Sequence, residues 1–432
     1  MCFVQCGCQA VRNVQQSKDE RVGYHLAAFS VATIELSNHQ GLMSLKYAIN
    51  WLVGRGRSTC RRMKERSNEI NLGLIACDHL TELNFVPRSW GGMRIISRTF
   101  TNLRKGAVVL VAFSLVSCVT AIAEFRVGLV LDRGGKDDKS FNSSAYAGGM
   151  EAQKKLGIIL KFVEAADDNA FEPALRSFAQ KDYDLIIGIG FAQKEAVKKV
   201  AAQFPKKHFA IVDSQVEAPN VRSLLFEEHE GAYLIGAIAA LTSKTGKIGF
   251  VGGMDIPLIR RFALAYEAGA KSVNPKTSVT ANFVGVTSEA WNNPPKGKEL
   301  AISQFDGGAD VVFAAAGASG LGVFDAAEEK KKFVVGVDSN QDALKPGLVL
   351  TSMLKRVDTA VFSTIEESKA GKFSGGVKRF GLANQGVDYS VDQYNAKILT
   401  ESVRQKADAL KADIIAGKVI VPDYYKLNER SK

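Results

Sequence analysis

From Phe125 onward the chain repeats one unit, in which a short and almost wholly apolar run ends in Gly or Asp and leads into a longer amphipathic stretch. The pattern predicts strands at 125–131, 158–164, 184–189, 208–213, 222–226, 247–251, 279–285, 309–315, 333–337 and 349–354. Helices are expected at 140–155, 170–180, 192–203, 228–243, 257–273, 295–305, 319–329, 358–371 and 392–416. Apolar strands alternating with helices indicate an α/β protein built on parallel sheets covered by helices on both faces. So many strands exceed one ordinary sheet, and Lys247-Ile248-Gly249-Phe250-Val251 reads as the opening of a second one. The expected organisation is a first lobe over 124–240 with return segments from the C-terminal part, a second lobe over 241–356, and crossover helices with a C-terminal segment over 357–432.

Ligands of open α/β sheets sit at the carboxyl ends of strands, so the loops there are where polar residues carry functional weight. The first such loop runs Asp132-Arg133-Gly134-Gly135-Lys136-Asp137-Asp138-Lys139-Ser140 and enters a helix at Phe141-Asn142. Phe141 is either a staple onto the core or a stacking platform facing a cleft. Asn142 offers both a donor and an acceptor, which suits the edge of a heterocycle. Later strand ends supply Gly190-Phe191, Asp213-Ser214, Gly252-Gly253-Met254, Gly317 and Asp338-Ser339, with Lys355 closing the last run. Asp213 and Asp338 either accept from sugar hydroxyls or cap the next helix.

Charge changes the picture only at the front of the chain. The net charge of +11 suggests nucleic acid, yet residues 1–123 hold 15 Lys/Arg against 7 Asp/Glu, which leaves 41 against 38 for the rest. A nearly neutral body removes the main support for a nucleic-acid partner. All six cysteines precede residue 119, so the body contains no disulfide, and Cys2, Cys6 and Cys8 lack a second pair at zinc-finger spacing. No metal and no cofactor is expected.

Met93 opens a secretory pattern. Arg94, Arg98, Arg104 and Lys105 precede an uncharged apolar run from Gly106 to Ala123. Two cleavage sites compete: Leu115-Val116-Ser117-Cys118 matches a bacterial lipobox, with Cys118 lipidated, and Ala121-Ile122-Ala123 matches ordinary signal peptidase. Either one makes 93–123 an export signal and places the body outside the cytoplasm, with membrane contact only through a lipid. Residues 1–92 are then an over-extended reading frame, or else a small extra domain.

The body resembles the basic membrane protein family of ABC-transporter substrate-binding proteins, whose characterised members include purine nucleoside receptors. The resemblance covers about 125–425 and rests on Asp137-Asp138-Lys139-Ser140-Phe141-Asn142 with Ser144-Ala145-Tyr146, Phe209-Ala210-Ile211-Val212-Asp213-Ser214, and Gly249-Phe250-Val251-Gly252-Gly253-Met254. It rests also on Pro294-Pro295-Lys296-Gly297-Lys298-Glu299, Gly336-Val337-Asp338, and Leu350-Thr351-Ser352-Met353-Leu354-Lys355-Arg356-Val357-Asp358. It implies a two-lobe type I periplasmic-binding-protein fold, a nucleoside bound by hinge closure, an ABC permease as partner and a monomeric receptor. Carried over, Phe141 stacks on the purine, Asn142 and Asp213 are polar contacts, and Asp338 with Lys355 grips the ribose. Trp291 stands where the family often has Phe and is expected as the second ring. Relatives commonly show a Gly-Gly-Thr-Gly-like turn where this chain has Ala316-Gly317-Ala318-Ser319-Gly320, a departure that bears on ligand preference.

Two other classes fit less well. An enzyme needs a nucleophile or an acid/base pair, and the body offers only His208 and His229, with no Gly-x-Ser-x-Gly, no Walker loop and no complete dinucleotide fingerprint. A sugar-responsive regulator on the same fold carries a DNA-binding helix pair where this chain has its export signal.

Overall fold

The computed structural model describes residues 34–38, 41–45 and 124–429. Strands β1 (Ile34–Asn38) and β2 (Gly41–Leu45) form an antiparallel pair within a separate unit. The expected export signal, Cys118 and the remainder of 1–92 lie outside the described residues.

The body runs β3 (Arg126–Leu131), α1 (Phe141–Leu156), β4 (Ile159–Glu164), α2 (Phe171–Gln180), β5 (Leu185–Ile189), α3 (Lys194–Gln203), β6 (His208–Val212) and β7 (Val221–Phe226). It continues with α4 (Glu228–Thr242), β8 (Lys247–Met254), α5 (Pro257–Val273), β9 (Ser278–Gly285), α6 (Pro294–Asp306), β10 (Val311–Ala315), α7 (Gly320–Lys330), β11 (Phe333–Asp338) and β12 (Val349–Lys355). Last come α8 (Val357–Lys369), β13 (Gly376–Phe380), β14 (Val387–Tyr389), α9 (Glu401–Ile415) and α10 (Tyr424–Glu429). Two six-stranded sheets result, in the orders β13-β7-β6-β5-β3-β4 and β14-β12-β11-β10-β8-β9.

Alternation within single strands explains why each sheet is covered on both faces. In β3, Val127, Leu129 and Leu131 point into one core with Ala145 and Ala152 of α1, and Val130 points into the opposite core with Phe171 and Leu175 of α2. In the second sheet, Phe250 and Phe313 face α5, and Val251, Val312 and Ala314 face α6 and α7. Burying one such side chain contributes about 1.5–3 kcal/mol, so neither face can be left bare.

The chain passes between the sheets three times. It crosses at Glu227, between β7 and α4, ahead of the boundary expected at 240/241. The backbone of α4 lies directly against α5 at Gly236 and Gly269, so this helix covers the second sheet. A second crossing at Arg356 sends α8 back to the first lobe, where the Asp358 amide donates to Ser144 Oγ of α1 at 3.1 Å. The third lies between β13, which pairs in parallel with β7, and β14, which pairs antiparallel with β12.

Three expectations need correction. The second sheet is not wholly parallel, because the short β14 closes its edge antiparallel. Strands β13 and β14 escaped the pattern, since Gly376-Val377-Lys378-Arg379-Phe380 is a mostly exposed edge and β14 has only three residues. The last long helix begins at Glu401, not at 392. Side chains take the backbone bonds ahead of it: Asn395 Oδ1 accepts from the Asp392 amide at 2.9 Å and Asp392 Oδ1 from the Tyr394 amide at 2.7 Å, local bonds that compete with helix. Among the described residues, no helix is long and apolar enough to cross a membrane.

Candidate functional site

The loop after β3 is organised by one buried carboxylate. Asp138 Oδ1 accepts from the amides of Ser140 (2.8 Å) and Ser143 (3.0 Å), and Oδ2 from the amide of Asn142 (2.8 Å). This fixes the first turn of α1 and aims Phe141 outward from it. Asn142 is spent on the same loop: its Oδ1 accepts from the Asp132 amide at 2.8 Å, and its Nδ2 donates to Arg133 O at 3.1 Å and Asp138 Oδ2 at 3.0 Å. Both amide protons are committed within the protein, so Asn142 shapes the wall and keeps only spare acceptor capacity for a guest.

Nine of the ten residues singled out in the sequence line one cavity of about 570 Å³, counted out to its mouth: Asp132, Phe141, Asn142, Phe191, Asp213, Trp291, Gly317, Asp338 and Lys355. The tenth, Gly253, stands behind it. A Cβ there would run into the Trp291 ring, so only glycine lets the indole lie flat against β8. Phe141 packs its inner edge on the core and also faces the cavity, and neither Asp213 nor Asp338 caps a helix.

Both aspartates occupy the left-handed region, with φ of 65° and 64°, at the ends of β6 and β11. Asp213 Oδ2 lies 2.5 Å from Lys355 Nζ, and the Asp338 carboxylate accepts from Ser140 Oγ across the cleft. Lys355 ends β12 and sits 5.1 Å from the ring centroids of both Phe141 and Phe226. Burial pulls its ammonium down, but Asp213, Glu228 and Asp338 together outweigh that, so the net shift is upward and the charge is held. Burial pushes Asp338 up to about 6 against the help of Lys355 and Ser140. Burial likewise pushes Asp132 up to about 7, opposed by the Arg133 amide on its carboxylate. Gly190, at φ 110°, leaves the space that the Asp132 carboxylate fills.

The Trp291 loop is tied down by the turn that departs from the family pattern. Ser319 Oγ donates to Ala290 O and accepts from the Asn293 amide, each at 2.7 Å. Sequence reasoning missed Asp138 as an organiser and missed the apolar wall of Leu258, Ile259 and Phe262 on α5. The signal for that wall was the recurrence of apolar residues at 258, 259 and 262 directly after a strand end.

The lining therefore combines flat aromatic faces with four carboxylates, of which Asp138 is spent on its own loop, and one buried ammonium, drawn from both lobes. It includes no His, Cys or Ser side chain. Such a set suits a planar, hydroxyl-bearing guest: the rings cover its faces and the carboxylates accept from its hydroxyls.

Known proteins resemble this chain across its body. The model of a family described as ABC transporter substrate-binding protein, PnrA-like, matches residues 125–424. An ABC transporter nucleoside-binding protein, BmpA, of Lactococcus lactis is 37% identical over 322 residues, covering 69% of this chain and 89% of its own length. An uncharacterised lipoprotein of Pyrococcus abyssi is 32% identical over 282 residues, covering 62% of this chain and 70% of its own. The crystal structure of an ABC transporter solute-binding protein from Aeropyrum pernix matches with a TM-score of 0.64 at 28% identity, covering 71% of this chain and 96% of that one.

Proposed function

The chain belongs to the Bmp family of ABC transporter substrate-binding proteins, and from that premise we propose that it binds a nucleoside, a purine nucleoside in the first place, in the cavity between its lobes and hands it to an ABC permease. The observation that carries this reading is the convergence of Phe141 and Trp291 with Asp213, Asp338 and Lys355 on one cavity. In the proposed pose the base lies between the Phe141 and Trp291 rings, worth about 1–3 kcal/mol per stacked ring. Asp338 and Lys355 hold the ribose hydroxyls, and Asp132 and Asp213 face the remaining polar edge.

The ligand works by touching both lobes at once. Contacts to each lobe that exist only in the closed arrangement shift the population toward closure, and the closed form is what the permease reads. The relatives named as lipoproteins support lipidation at Cys118 within Leu115-Val116-Ser117-Cys118, which would tether the receptor to the outer face of the membrane beside its permease. A single tethered monomer suffices for this task.

Calorimetry with a panel of nucleosides tests the reading. Tight binding of adenosine, guanosine or inosine is expected in the native chain, with Asp338→Ala losing at least about a hundredfold in affinity while the fold persists by circular dichroism, as expected for a buried acceptor of sugar hydroxyls. No nucleoside binding by the native chain, or unchanged affinity in the variant, overturns it.

A further inference from the structure

The first crossing carries Glu227, Glu228 and His229 in succession, and Asp423 returns to it from the C-terminal segment nearly two hundred residues later. One ligand atom each from Glu227, His229 and Asp423 lies within 4.8 Å of the other two. The sequence expectation of no metal rested on cysteine spacing and could not see this convergence. We propose that these three side chains form a site for a divalent transition cation, Zn²⁺ by preference, at the hinge between the lobes and apart from the nucleoside cavity.

Four observations support it. His229 Nδ1 is buried, its side chain only 9% exposed, and has no hydrogen-bond partner. It lies 3.7 Å from Glu227 Oε2, too far for a hydrogen bond but within the span of two ligands on one ion, since bonds of about 2.1 Å allow up to about 4.2 Å. The charge is unbalanced as well. Three carboxylates, Glu227, Glu228 and Asp423, meet two guanidinium groups, the buried Arg261 and the exposed Arg379, and Glu228 Oε2 stands 3.2 Å from Arg261 Nη1 without a hydrogen bond. Finally, Glu227 and Asp423 line a second pocket, open to solvent, that gives an ion a path in.

Arg261 does not fill the site. It takes Asp423 Oδ1 and Oδ2 edge-on at 2.9 and 3.0 Å and Glu227 Oε2 at 2.7 Å, and donates its remaining nitrogen to Phe226 O. Arg379 holds Glu227 Oε1 from the exposed side at 3.1 Å. Asp423 Oδ1 is filled by Arg261 and by the Tyr425 amide at 3.0 Å, but Asp423 Oδ2 and both Glu227 oxygens accept one bond each and keep a lone pair, so the guanidinium becomes the outer partner that orients the metal ligands. One imidazole nitrogen with two carboxylates is a borderline donor set, which favours Zn²⁺ over Ca²⁺ or Mg²⁺. A bound ion would pin the C-terminal segment to the crossing on which the lobes pivot.

Equilibrium dialysis of the full chain against Zn²⁺ alone, with bound metal counted by elemental analysis and thermal unfolding followed in parallel, tests the proposal. The native chain is expected to hold one ion more than His229→Gln, and its Zn²⁺-dependent rise in Tm is expected to shrink in that variant. Cysteines near the N-terminus contribute equally to both and cancel in the difference. If His229→Gln does not fold, Asp423→Asn supplies the same comparison. Equal metal content and equal Zn²⁺-dependent Tm shifts in native and variant chains would overturn the site. Nucleoside affinity does not enter this readout.

Discussion

Asp132 and Asp338 have the same cause for their raised pKa values and the same consequence for binding. Burial holds them at about 7 and about 6, so near neutral pH each is partly protonated in the folded, empty protein. Because both values lie above the ordinary carboxylate range, the folded chain binds more protons than the unfolded chain as pH rises from about 4 to about 7, and these two groups subtract stability across that window. A ligand hydroxyl that donates to either carboxylate favours its charged form and pulls the value back down. Nucleoside binding near pH 6.5 is therefore expected to release protons, seen as a binding heat that changes with the ionisation heat of the buffer, and affinity should rise from about pH 5 to about pH 8. Proton uptake, or affinity that is flat with pH, would contradict the placement of sugar or base on these carboxylates. The left-handed φ of Asp213 and Asp338 points the same way, since that conformation costs an L-residue about 1–2 kcal/mol and the surrounding strands must hold it.

At the scale of elements, the indole platform depends on β8 and on the turn before α7. Gly253 lets Trp291 lie against the strand, and Ser319 ties both sides of the tryptophan to that turn. Gly253→Val should push the ring off its seat. Nucleoside affinity is expected to fall by about tenfold or more, as for loss of one stacked ring, while Tm changes little. Fluorescence tests the geometry directly, because Trp291 is the single tryptophan of the body and the other two are Trp51 and Trp90. Nucleoside should change native emission and leave Gly253→Val emission nearly unchanged. The amphipathic period found these elements well, since α5 runs over the residues expected and the strand ends fall within a few residues of their places. It failed at 392–400, where Asp392 and Asn395 bind backbone amides and hold the chain out of the helix.

The whole molecule stores its proposed motion in bonds that span the lobes. Ser140 Oγ meets the Asp338 carboxylate, Ser339 Oγ donates to Ser140 O at 2.8 Å, and Gln341 Nε2 donates to Lys139 O at 2.9 Å. All three are lost if the lobes part along the cleft. A hydrogen bond to a charged group is worth about 1.5–3 kcal/mol, so Ser140→Ala should weaken nucleoside binding by roughly ten- to a hundredfold without touching the ligand. Small-angle scattering should show the empty variant more extended than the empty native chain, and nucleoside should narrow the gap. Identical profiles would argue against a closure held by this contact.

Period and punctuation in the sequence determined the two sheets, the order of strands and helices apart from β13, β14 and α10, and the set of loops at the strand ends, because these depend on neighbours a few residues apart. Nine of the ten chosen residues reach one cavity for that reason: strand ends of a parallel sheet share one edge. Tertiary structure alone decided the partners. Lys355 meets Asp213 across 142 residues of chain, Asn142 turns its amide inward to its own loop, and Asp423 joins Glu227 and His229 at the crossing. No spacing in the sequence encodes those meetings, since they follow from where the three crossings bring the chain back, and burial at those points then sets each group's charge.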